Sequence, residues 1–201
     1  MPTARVRKHS ADLDARSRIV LESARLFASV GYRRATLRDI ALACGIQAAS
    51  IFHYFASKED ILHEVMETTI RHMLRRQERA LAGAGGTAER LRGLVEAEIM
   101  SFASRSAEEW PEVLVHEWRQ LPPARQAGLL ALRAGYEARW IEVLAAAQRE
   151  GLVAAEPKIT RRLLNGAFAW APYWFREERG LRAEGIVEQV MQLIVQRHRV
   201  A

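Results

Sequence analysis

The sequence predicts an all-α fold, and three observations carry that prediction. Apolar residues recur three or four positions apart in one segment after another, which is the spacing of a buried helical face. No stretch alternates apolar and polar residues with the period of two that a half-buried strand requires. No proline occurs between Pro2 and Pro111, so nothing removes a backbone donor from helices in that half of the chain. A chain of 201 residues can bury a proper core and form one or two small domains.

Helix one is expected over residues 12–30, where Leu13, Val20, Ala24, Phe27 and Gly31 fall on one stripe. Thr36 precedes a short second helix with Leu37, Ile40, Ala41 and Cys44 on its apolar side. Thr36 and Asp39 are spaced as a capping box, with Asp replacing the usual Glu or Gln. Gly45 stands where the chain must leave that helix in a left-handed conformation, which glycine does with least strain. Ile46 then enters the core, and Ile51, Phe52 and Phe55 supply the buried side of a third helix about eight residues long. Ser57 with Asp60 repeats the cap signature and starts the next element. Two short helices joined by a glycine turn describe a helix-turn-helix, whose second helix is built to enter a DNA major groove.

From Lys58 a helix can run to about Ala82, roughly 37 Å long, with Ile61, Leu62, Val65, Met66, Ile70, Met73 and Leu74 inward. Gly83, Gly85 and Gly86 break it. Thr87 opens the next helix, carrying Leu91, Leu94, Val95, Ile99 and Phe102. A shorter helix around residues 110–118 admits Pro111 in its first turn. Pro122 and Pro123 start a long helix with Leu129, Leu132, Tyr136, Trp140, Val143 and Ala147 inward, and Gly151 ends it. Helices over residues 160–175, kinked at Pro172, and 185–199 bring the expected total to about nine. The last two carry apolar stripes wider than one domain face needs: Leu163, Leu164, Ala167 and Trp170, then Ile186, Val187, Val190, Met191, Ile194 and Val195.

One run of residues carries a family resemblance. Arg18, Ile19, Ala24, Leu26, Phe27, Gly31 and Tyr32 are followed by Thr36, Asp39, Ile40, Ala41, Cys44, Gly45 and Ile46, and then by Ile51, Tyr54, Phe55, Ser57, Lys58, Glu59 and Leu62. Over residues 18–65 the chain resembles the tetracycline-repressor (TetR) family of bacterial transcription regulators. The resemblance implies a DNA-binding domain over residues 1–57 and an effector-binding and dimerisation domain over residues 58–201. It also implies a homodimer formed by the last two helices, bound to a near-palindromic operator. Gln47, Ala48, Ser50 and His53 face outward around the reading helix, with chemistry suited to base edges. Thr36, Tyr54 and Lys58 suit phosphates. Two positions depart from the family pattern: Phe52 stands where Tyr is usual, and Ala48 where a basic or polar residue is common. Both departures put more of the specificity on Gln47, Ser50 and His53.

Charge agrees with a DNA partner. The formal net charge is +6, and residues 1–60, with ten Lys/Arg against six Asp/Glu, hold +4 of it. A polyanion would dock there, although 27 Arg against three Lys also suggests a genome-wide preference. No run of about 18 apolar residues spans a membrane, and MPTARVRKHS has no apolar segment behind it to act as a secretory signal. The single Cys44 excludes an internal disulfide and fits a cytoplasmic protein. His63 and Glu67 lie one helical turn apart without a third ligand at a suggestive spacing, so no metal, cofactor or catalytic residue is expected.

All five tryptophans lie between residues 110 and 174, in the part that the resemblance assigns to effector binding. Trp118, Tyr136, Trp140, Phe168 and Trp170 are expected to line an apolar cavity, with Arg133, Arg139 and Arg176 meeting an anionic group. Segments 136–144 and 170–175, with Gly151, resemble family members that sense acyl-coenzyme A thioesters. A drug-efflux regulator binding cationic dyes is the competing subtype. Outside the ligand-responsive class, the rivals are an architectural DNA-binding protein without a cavity and an all-helical enzyme. The enzyme would need clustered ionisable side chains inside the body, where the sequence offers mostly aromatics.

Overall fold

A computed structural model describes residues 4–103, 109–171 and 182–196. Among them are nine α-helices, one 3₁₀ turn and no strand. No helix is long and apolar enough to cross a membrane among the described residues.

Helix α1 (Ala4–Val30) begins earlier than the apolar stripe indicated, because no proline or glycine interrupts residues 4–11. It stops at Gly31, whose φ of 85° is open to glycine at little cost. Helix α2 (Leu37–Cys44) has the expected reciprocal capping box between Thr36 and Asp39. It ends at Gly45, φ 66°, where the amides of Gly45 and Ile46 bond back to the carbonyls of Leu42 and Ala41.

Helix α3 (Ala48–Ile51) is shorter than expected. The coil continues to residue 54 with tighter bonds, His53 N–H to Ser50 O and Tyr54 N–H to Ile51 O. Three-residue turns advance each side chain by more than an α-helix does. Phe52, expected in the core, is therefore 58% exposed, while Ile51 and Phe55 remain buried.

Ser57 caps α4 (Lys58–Ala82) through Asp60, and the helix runs as predicted to the glycine cluster. Helix α5 (Thr87–Ala103) follows. Helix α6 (Pro111–Glu117) leads into a 3₁₀ turn, Trp118–Gln120. Helix α7 (Pro123–Arg149) ends before Gly151, φ 72°. Helix α8 (Pro157–Ala169) starts three residues earlier than expected, because Pro157 fits its first turn and the Glu156 carboxylate accepts from Ile159 N–H at 2.8 Å. The expected kink at Pro172 lies outside the described residues. Helix α9 (Ala183–Ile194) packs on α5.

Two clusters of buried side chains organise these elements. One joins α1–α4, centred on Ile19, Phe27, Ile40, Ile51 and Leu62, and reaches Val113, Leu121 and Leu129. The other joins α5, α7, α8 and α9 around Leu94, Trp140, Leu144 and Phe168. Helix α4 serves both, with Ile61 to Ile70 in the first and Met73 in the second. The wide stripes of the last helices divide between two sides. Leu164, Phe168, Ile186, Val187 and Met191 are buried, whereas Leu163, Trp170 and Leu193 are 70%, 63% and 85% exposed.

Candidate DNA interface and ligand cavity

The reading segment is held from behind. Arg16 of α1 donates from Nη1 to the Tyr54 carbonyl at 2.6 Å, pairs with Glu64 through Nε and Nη2, and lies 4.2 Å from the centre of the Phe55 ring. One guanidinium thus fixes the end of the α3 coil against α1 and α4. Gln47 is the N-cap of α3, extended and exposed, with no side-chain bond to the helix it precedes. His53 is also exposed and Ser50 half-buried. Gln47, Ser50 and His53 therefore remain available on the outer side, and exposed Phe52 joins them.

Three residues expected at DNA already have contacts within the chain. Ala48 packs half-buried against the first cluster, because the α3 coil turns that side inward. The Thr36 hydroxyl donates to Asp39 Oδ2 at 2.7 Å and accepts from Asp39 N–H at 3.1 Å, so capping already occupies it. The Lys58 ammonium donates to the carbonyls of Tyr32 and Ala35, both at 2.8 Å, and lies 4.3 Å from the Tyr32 ring centre. Lys58 was expected on a phosphate; here it ties the start of α4 to the loop before α2. Tyr54 is half-buried against the same cluster. Arg38, exposed on the first turn of α2, is a further cation beside the reading segment that no sequence motif singles out.

A cavity of about 560 Å³ lies between α4, α5, α6, α7 and α8. Of the expected lining, Trp118, Arg133 and Tyr136 border it. Arg139 does not: it donates to Leu74 O at 2.9 Å and to Glu78 at 2.6 Å on the α4 side. Trp140 and Phe168 are buried in the second cluster instead, and Trp170 is mostly exposed. Arg176 lies outside the described residues.

The inner wall is more polar than the sequence suggested. Tyr136 Oη donates to Glu98 Oε2 at 2.8 Å. Arg161 donates from Nη1 and Nη2 to Glu98 at 3.1–3.2 Å, and from Nε and Nη2 to Glu137 at 2.7 and 2.8 Å. Glu98, Tyr136 and Arg161 are 2%, 6% and 3% exposed. Burial pushes the Glu98 carboxyl above its ordinary range, against the pull of Arg161. Burial also raises the Tyr136 phenol, aided by the Glu98 charge. For Arg161 burial works against the charge, but Glu98 and Glu137 outweigh it and keep the guanidinium firmly protonated. A sequence signal existed: Glu98 lies on the stripe formed by Leu91, Leu94, Val95 and Phe102, four residues from Leu94 and from Phe102.

The roof of the cavity touches the reading segment's support. Leu114, Trp118 and Arg119 line the cavity, while Glu117 Oε1 accepts from Tyr32 N–H at 3.0 Å. Arg33 Nε donates to Gln120 Oε1 at 3.1 Å, and Arg125 of α7 pairs with Asp60 at the start of α4.

Comparisons with known proteins agree with this arrangement. A family model for bacterial regulatory proteins of the tetR family matches residues 19–65. A model for the tetracyclin repressor-like C-terminal domain matches residues 84–197, more than half of the chain. The chain is 24% identical over 185 residues to the HTH-type transcriptional repressor KstR2 of Mycolicibacterium smegmatis, over 90% of this chain and 88% of that protein. It resembles the crystal structure of the superantigen PfiT at 38% identity and a TM-score of 0.76, over 90% of this chain and 96% of that one. It also shares the fold of AibR, solved in complex with isovaleryl coenzyme A and operator DNA, at 24% identity and a TM-score of 0.80, over 89% and 97%. The chain belongs to the TetR family of bacterial regulatory proteins: it is a helix-turn-helix regulator and not an enzyme.

Proposed function

We propose that this chain is a ligand-responsive repressor that binds a near-palindromic operator as a homodimer and is released by a small hydrophobic effector, an acyl-coenzyme A thioester. In this reading residues 1–57 bind DNA, residues 58–201 bind effector and form the dimer, and the protein works in the cytoplasm where its operator is. The observation that carries the proposal is the shared roof. Pro111, Leu114, Val115, Trp118 and Arg119 border the cavity, and Glu117 and Gln120 beside them hold the loop at Tyr32 and Arg33. A ligand that displaces the roof has direct mechanical access to the loop that ends at the α2 cap. Helix α4, bordering the cavity with Ile70 and Met73, offers a second path. Ligand binding then favours a dimer whose reading heads no longer match the operator.

Gln47, Ser50 and His53 would read base edges, and exposed Phe52 could touch a thymine methyl. The thioester is supported by the cavity and its mouth, where Trp118 carries Arg133 with its guanidinium carbon 5.2 Å from the ring centre and Arg119 is exposed beside them. AibR, of the same fold, was solved with a bound coenzyme A thioester.

The cationic-dye alternative gains one observation, the carboxylates of Glu98 and Glu137 in the lining. Arg161 lies between them and already supplies the cation, and the exposed arginines at the mouth would repel a second one. The test is operator release by a long acyl-coenzyme A, its free acid and a cationic dye at equal concentrations. The thioester should release the protein and quench its tryptophan fluorescence. Release by the dye alone would favour an efflux regulator, and release by none would favour an architectural DNA-binding protein.

A further inference from the structure

An acyl-coenzyme A has three chemically different parts: phosphates, an amide-bearing pantetheine linker and an acyl chain. Resting on the thioester reading, the cavity has a surface for each. Arg119 and Arg133 supply cations beside Trp118, and Ile70, Met73, Phe102 and Leu114 supply apolar side chains from α4, α5 and α6. The third surface lies where α7 and α8 face each other.

Helix α8 returns along α7 after the short connection at residues 150–156, so the two run antiparallel. Arg161 of α8 donates to Glu137 of α7 at 2.7 and 2.8 Å. One turn from this rung, toward the start of α7 and the end of α8, the next facing pair is Arg133 and Asn165. Each lies about 6 Å along its helix from the bridge. All four residues line the cavity.

Asn165 is exposed, and among the described residues no hydrogen bond engages its carboxamide. Glu137 keeps 38% of its side chain exposed beside Arg161, and each of its oxygens can accept one bond more. The pair thus offers a donor from α8 and an acceptor from α7. A secondary amide is the complement, because a trans amide points its N–H and its C=O to opposite sides. A hydrocarbon would leave both partners unpaired, and a phosphate would bring only acceptors to the Glu137 charge. The spacing agrees. In coenzyme A the pantoyl amide lies roughly 7 Å of extended chain from the nearer phosphorus, close to the step from Arg133 to Glu137.

We infer that Asn165 and Glu137 form a subsite for the pantoyl amide of the linker. The Asn165 carboxamide donates to the amide carbonyl, and the Glu137 carboxylate accepts the amide N–H. The phosphates lie at Arg119 and Arg133, and the acyl chain lies against the apolar side chains of α4 and α5.

The experiment measures binding, by tryptophan fluorescence and operator release, of octanoyl-coenzyme A, octanoyl-pantetheine and octanoyl-N-acetylcysteamine. These keep the acyl chain and the thioester but shed first the phosphates and then the pantoyl amide. The pantetheine thioester should bind about tenfold tighter than the N-acetylcysteamine thioester, and the coenzyme A thioester tighter again. Asn165→Ala should cut the first ratio about fivefold and spare the second, whereas Arg133→Ala should do the reverse. Each ratio compares two ligands on one variant, so a general loosening of the cavity cancels. Equal binding of the two smaller thioesters would overturn the amide subsite and leave the effector reading intact. So would a first ratio that survives Asn165→Ala, or one that falls as far in Arg133→Ala. If none of the three thioesters binds, the effector reading itself fails and the subsite falls with it.

Discussion

At the scale of single residues, Gln47 and His53 differ from Lys58 in what their polar groups already touch. Gln47 and His53 are exposed on the outer side of the α3 coil, so truncating either to Ala should cost about 1–3 kcal/mol on the preferred operator and relax selection at particular bases. Binding selections from random DNA would expose uniform weakening, which would remove them from the base-reading set. Lys58→Ala should act on stability instead, because its ammonium already holds two carbonyls. Its loss should lower the melting temperature by an amount equivalent to about 1–3 kcal/mol, with the slope of affinity against salt nearly unchanged. A slope smaller by about one ion, with unaltered stability, would return Lys58 to the phosphate contacts. Resemblance suggested a phosphate role for Lys58 because a lysine beside a reading head has that chemistry. The carbonyls of Tyr32 and Ala35 come within reach only when the loop folds back on α4, and no local pattern announces that. Glu98 was hidden differently: it stands on an apolar stripe, but only the arrival of Arg161 and Tyr136 from distant helices gives its burial a meaning.

At the scale of elements, the reading motif was legible because its signals are local. Thr36 with Asp39, Gly45, and Ser57 with Asp60 each act within three residues, and all three appear as read. Helix α3 is shorter than its apolar pattern indicates because nothing local announces a change from four-residue to three-residue bonding, and that change turns Phe52 outward. The caps have a consequence in acid. Hydrogen bonds from Thr36 hold the Asp39 carboxyl below its ordinary 3.8, and the Ser57 hydroxyl does the same for Asp60. A carboxylate depressed in the folded state contributes stability that is present above the unfolded value and lost as pH falls through the folded one. The starts of α2 and α4 should therefore loosen below pH 3.8. Amide exchange at residues 37–40 and 58–61 checks this, since Asp39→Asn should make the response of α2 to acid flatter. An equally steep response in that variant would mean that other carboxylates govern acid unfolding.

At the scale of the whole molecule, the all-α class followed from apolar spacing alone, because each helix must bury a stripe whatever its neighbours are. The cavity did not, since five helices build it and no two adjacent segments reveal its walls. The width of the last two helices was legible, and the structure gives it a physical form: α8 and α9 bury one side in the second cluster and present Ile159, Leu163 and Leu193 on the other. Exposed leucines on two separate helices are costly to leave in water, at roughly 25 cal/mol per Å² of apolar surface. In the proposed homodimer, a second copy would bury them and supply two reading heads for a near-palindromic operator. The double variant Leu163→Glu with Leu193→Glu should therefore sediment as a monomer with unchanged helical circular dichroism, since neither side chain supports the monomer core. Its operator affinity should fall more than tenfold at equal protein concentration, because one head contacts only one half-site. An intact dimer in that variant would exclude this face. A monomer with full operator affinity would separate dimerisation from recognition and leave the exposed face of α8 and α9 to another partner.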